Sequence, residues 1–155
     1  MAQTPGYFGN FPFAPDAKKP MQMTEANQKK FIYTTQYPES SDLNWLIAST
    51  QHMTVGKYLL APGSTFDPVD IHAGDEIYYI LEGTVTMLNP ESGQVEEVSA
   101  GESIILPKGS AHKAYNFTNQ STTVLYVIVP RIWDEDGPPL DYNKPFELYK
   151  QKERN

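Results

Sequence analysis

The chain has 155 residues, a formal net charge of -7 and no cysteine. One domain of this length buries ~70% of the surface its unfolded chain exposes, so a core can form without staples. Disulfides, thiolate metal sites and cysteine nucleophiles are excluded, and the acidic balance without Lys/Arg clusters argues against nucleic acid or an anionic membrane as partner.

In chain order, the first segment, residues 1–30, reads as an irregular arm. Pro5, Pro12, Pro15 and Pro20 interrupt regular structure, while Tyr7, Phe8, Phe11 and Phe13 are too apolar for a solvated tail. The arm either packs on its own domain or crosses to a second subunit. Helical periodicity is weak throughout, and "DAKKPMQMTEANQKK" allows one turn at most.

From residue 31 to residue 132, short β-branched and aromatic runs alternate with Gly, Pro, Asn and Ser turns, the pattern of an all-β sandwich or barrel. Predicted strands are "KFIYTTQY", "LNWLIAST", "HMTVGKYLLA", "DEIYYILEGTVTMLN", "QVEEVSA", "ESIILP", "HKAYNFTN" and "TTVLYVIVP". Residues 133–155 form a second extension, with Trp133, Leu140, Tyr142 and Phe146 expected to anchor it on the barrel. The N-terminus lacks a secretory signature and no run reaches the ~20 apolar residues of a membrane span, so a soluble cytoplasmic protein is expected.

The chemistry concentrates in two stretches. In "DIHAGDEIYYILEG", strand parity places Asp70, His72, Glu76, Tyr78 and Ile80 on one face. Buried charges of that kind are costly unless paired, and a bound cation removes the conflict. In "GESIILPKGSAHKAYN", Pro107 and Gly109 build a turn, after which His112, Ala114 and Asn116 share a face. If the two strands are neighbours, His112 joins His72 and Glu76. Two imidazoles and one carboxylate suit non-haem Fe(II), and also accept Mn, Ni, Co or Zn. Tyr78 is the candidate acid, base or substrate hydrogen-bond donor. Tyr58, Lys57 and Tyr115 are weaker candidates, and His52 reads as a surface residue.

Both stretches resemble the signature motifs of the cupin superfamily, usually written G-x5-H-x-H-x3,4-E-x6-G and G-x5-P-x-G-x2-H-x3-N. Gly101, Pro107, Gly109, His112 and Asn116 match the second at every fixed position. His72, Glu76 and Gly83 match the first, and 17 residues, Thr84 to Ala100, separate the two. The resemblance implies a double-stranded β-helix, or jelly-roll, barrel, often dimeric, with a metal held by His72, Glu76 and His112. It assigns Gly83, Gly101 and Gly109 to turns and Asn116 to structural support. Asp70 stands where the family's first histidine usually stands, with Gly63 one residue further upstream than the pattern. Asp70 then ligates the metal, holds a ligand water, or orients an imidazole.

The family spans many activities. Three functions are compatible with these residues. The first is a metal-dependent enzyme of non-haem Fe(II) oxygenase or dioxygenase type, acting on a small organic substrate. The second is a redox-neutral lyase, isomerase or cyclase using the ion as a Lewis acid, and the third a non-catalytic binder of a sugar or acid. A homodimer is expected in each case.

Overall fold

The computed structural model describes residues 11–14, 16–33, 42–65, 69–72 and 74–130. Nine strands account for most of them: β1 (Lys29–Tyr33), β2 (Asp42–Ser49), β3 (Thr54–Leu60), β4 (Asp75–Glu82), β5 (Thr84–Asn89), β6 (Gln94–Ser99), β7 (Ser103–Leu106), β8 (Lys113–Tyr115) and β9 (Thr122–Val129). The expected single helical turn is a 3-10 turn over Glu25–Asn27. Among the described residues no helix is long and apolar enough to cross a membrane.

The strands form two sheets, a six-stranded one in the order β1-β2-β3-β9-β4-β7 and a three-stranded one in the order β6-β5-β8. All pairings are antiparallel. The result is the expected all-β jelly roll, with one correction: it is not a closed barrel. Among the described residues no hydrogen-bonded ladder joins β6 to β7, the edge strands of the two sheets.

A second correction concerns the run predicted as one strand from Asp75 to Asn89. It breaks at Gly83, and its halves enter different sheets. Gly83 has φ +80 and lies so close to Ser121 and Thr122 that a Cβ would meet the Thr122 hydroxyl at 2.6 Å and the Ser121 carbonyl at 2.8 Å. Only glycine accepts both the left-handed backbone and the close approach.

Alternation along the strands sets the interior. On β3 the buried residues are Thr54, Gly56, Tyr58 and Leu60, and on β4 they are Glu76, Tyr78 and Ile80. The apolar cluster joins these strands to Val85 and Met87 of β5, Val124 and Ile128 of β9 and their neighbours. Gly56 leaves the space that the Tyr126 ring occupies across the β3–β9 ladder.

The chain before β4 extends the smaller sheet. Isolated antiparallel bridges pair Thr65 with Tyr115 and Asp70 with His112, beyond β8. At the N-terminus, Phe11 pairs with Ser49 of the chain's own β2, through bonds of 2.9 and 2.8 Å. Tyr7 and Phe8, and the C-terminal anchors Trp133, Leu140, Tyr142 and Phe146, lie outside the described residues.

Candidate metal centre

The bridge between Asp70 and His112 brings the two sequence stretches together. Asp70 N donates to His112 O at 2.8 Å, and His112 N returns a bond to Asp70 O at 3.0 Å. Two further bonds hold the second stretch's turn against the first: Gly109 N donates to His72 O at 3.1 Å, and Lys108 N to Asp75 Oδ1 at 2.8 Å. Asp75, of strand parity opposite to Glu76, is exposed and faces away from the buried carboxylates.

Asp70, His72, Glu76 and His112 are all buried. Glu76 Oε2 lies 3.1 Å from His72 Nε2 and 3.0 Å from His112 Nε2, so one carboxylate oxygen faces both imidazoles. The two rings stand 5.1 Å apart between centroids, inclined at 60°. One carboxylate oxygen of Asp70 and one nitrogen from each imidazole lie within 4.8 Å of one another. The imidazole pair is therefore close to two carboxylates.

Hydrogen bonding fixes how His112 is oriented. Its Nδ1 lies 2.9 Å from the Ser110 carbonyl, which can only accept, so Nδ1 carries the proton and Nε2 points inward. Nε2 of His112 and Oε2 of Glu76 are in close contact, and both atoms are sealed from solvent. Nδ1 of His72 is also buried and meets no hydrogen-bond partner among the described residues.

The charges respond accordingly. Burial disfavours the Glu76 carboxylate, but the His72 charge and the close approach of both rings outweigh it, and its pKa falls below the ordinary value. Burial pulls His112 the other way as well, yet Glu76 and then Asp70 push its pKa up to about 9. A cluster of N and O donors that must otherwise be charged and buried can hold a divalent metal ion.

Tyr78 lies next to this group, its ring 6.1 Å from that of His112 and nearly perpendicular to it. Burial and then the negative charge of Glu76 raise its pKa well above the usual phenol value. Tyr58, a weak candidate in the sequence, is its buried partner: the rings meet edge to face at 5.6 Å, and Tyr126 stacks on Tyr58 at 6.2 Å. Alternation alone could have placed Tyr58 inside. Lys57 instead lies over the Trp45 ring, Tyr115 stacks on Phe117, and His52 is exposed. Asn116 holds the chain reversal after β8, donating to Leu60 O and Gln120 O and accepting from Thr118 N.

Both motifs and the paired strands around them fall within residues 56–129, which match a family model described as a cupin domain. Residues 56–129 belong to the cupin family. Solved structures agree on the fold. A predicted oxalate decarboxylase from Thermotoga maritima superposes with a TM-score of 0.60 at 21% identity, over 71% of this chain and 99% of that one. The polyketide cyclase RemF from Streptomyces resistomycificus gives 0.59 at 19% identity, over 86% and 94% of the two chains. An RmlC-like cupin from Shewanella frigidimarina gives 0.53 at 16% identity, over 70% and 88%. At these identities the likeness shows the cupin fold alone. Comparison of the sequence with curated proteins gives no match.

Proposed function

We propose that this cupin is a metal-dependent enzyme acting on a small organic substrate inside the jelly roll, with non-haem Fe(II) oxygen chemistry favoured. The observation that carries the reading is the convergence of His72 Nε2 and His112 Nε2 on one buried Glu76 oxygen. Left empty, such a set is stable only by trapping protons. His72, Glu76 and His112 would hold the ion, with Asp70 beside them. Bound there, a divalent ion with three protein donors supplies open positions for substrate and dioxygen.

Tyr78 keeps its proton because burial and Glu76 oppose the phenolate. It acts as a hydrogen-bond donor or acid toward a bound ligand, not as a base. That proton source favours a second reading, a lyase, isomerase or cyclase in which the ion polarises a carbonyl. The names of two similar folds, a predicted decarboxylase and a cyclase, point the same way.

Metal analysis of protein purified without an affinity tag, followed by anaerobic Fe(II) loading and oxygen-electrode assays over a substrate panel, tests the reading. Fe(II)-dependent oxygen uptake supports the oxygenase. Turnover with Zn or Mn and no oxygen uptake supports the second reading, and failure to retain any divalent ion overturns both. In whichever reaction is found, Tyr78→Phe should lower kcat by about 10²–10⁴ while metal content stays unchanged.

A further inference from the structure

The open seam of the sandwich frames a cavity of about 450 Å³, between β5 and β6 on one side and β7 on the other. His112 lines it, only 3% exposed, and among the described residues it is the one member of the buried donor group that does. Met87, Val98, Ile104 and Leu106 give it apolar walls, a size and character suited to a small organic ligand.

Its charge is one-sided. Glu96, Glu97 and Glu102 line it, and among the described residues no lysine or arginine does. Glu96 faces the cavity by register. It pairs with buried Met87, two residues before buried Val98 pairs with Val85, so Glu96 lies on the inward side of β6. Gln94, two residues earlier on the same side, donates from Nε2 to Glu96 Oε1 at 3.0 Å and steadies the carboxylate. Glu102 is held within the turn that joins β6 to β7, its Oε2 accepting from Ser99 N at 2.8 Å.

We propose that the seam cavity takes a small organic cation with an apolar body, and that Glu96 and Glu102 set that preference. The inference rests on the metal reading only through His112, which lines the cavity and belongs to the proposed donor set. A carboxylate ligand would meet the like charges of Glu96 and Glu102 at the rim, whereas an amine meets opposite charge there and apolar walls within.

Tyramine, tyrosol and 4-hydroxyphenylacetate share a phenol ring and differ in charge. Each is titrated by calorimetry into metal-free and Zn-loaded protein. Tyramine should bind most tightly and the acid most weakly, by about fivefold or more in both forms, the upper range for partly exposed charge pairs. Glu96→Gln with Glu102→Gln should erase most of that gap, with circular dichroism confirming the fold. An acid that binds as well as tyramine in either form, a gap unchanged in the double variant, or no tyramine binding at millimolar concentration overturns the proposal. If zinc fails to load while metal-free protein keeps the cation order, the metal reading falls and this inference stands.

Discussion

Asp70 and His112, 42 positions apart in the chain, exchange both of their backbone hydrogen bonds as an antiparallel pair. Residues paired in this way project their side chains to the same face of the sheet. The carboxylate of Asp70 is therefore delivered to the imidazoles by register.

Asp70→Asn tests what that carboxylate does there. If Asp70 orients an imidazole or a bound water, metal affinity should fall by about 10–100-fold with the coordination number unchanged. X-ray absorption at the metal edge reads the difference. A changed first coordination sphere would make Asp70 a ligand.

His72→Ala and His112→Ala should each abolish retention of a divalent ion through dialysis and leave a β-rich fold. The apolar cluster spanning β3, β4, β5 and β9 contains neither histidine, so the domain stands without the ion. Metal analysis and far-ultraviolet circular dichroism check both halves. Wild-type metal occupancy in either variant would defeat the site.

The raised pKa of His112 predicts a pH dependence. Its folded value, about 9, exceeds the ordinary 6.5, so its ion pair with Glu76 stabilises metal-free protein fully below pH 6.5. That contribution is lost as pH climbs through about 9. A divalent ion must displace the same proton, so apparent metal affinity should rise over the window in which apo stability falls. Opposite slopes in thermal melts with and without Zn confirm the linkage, and His112→Ala should flatten the apo curve between these limits.

Gly74→Ala probes how tightly the first motif is packed. A Cβ at this position would strike the Val129 carbonyl group and meet Pro130 N at 2.9 Å, all backbone of the neighbouring strand end. Overpacking of this kind costs typically about 1–3 kcal/mol. The same shift moves His72 relative to Glu76, so metal affinity should fall together with the melting temperature. A drop in stability with affinity intact would mean that the His72–Glu76 spacing tolerates the displacement.

Much of the site was legible in the sequence because β-strand parity is a local property. Glu76, Tyr78 and Ile80 point inward as alternation predicts, and His112 and Ala114 follow the turn built by Pro107 and Gly109. What alternation cannot supply is the partner of a short extended segment. The bridges of Thr65 and Asp70 to β8 depend on contacts far apart in sequence, and the prolines and glycine nearby resemble an ordinary turn. The break at Gly83 was hidden for a related reason. The apolar run continues on both sides of it, and only the crowding against Ser121 and Thr122 reveals a change of sheet.

The turn at 107–110 is fastened to the first motif by backbone donors: Lys108 N to Asp75, Gly109 N to His72 O, and, just beyond, His112 N to Asp70 O. Two of these three bonds involve no side chain of either motif. The scaffold that sets the geometry of the candidate metal centre is thus separable from the identity of the donors it presents. A lineage built on this frame can exchange aspartate for histidine at position 70, altering which ion is preferred, while the chain keeps its register. Donor choice is thus tunable on a fixed backbone mount.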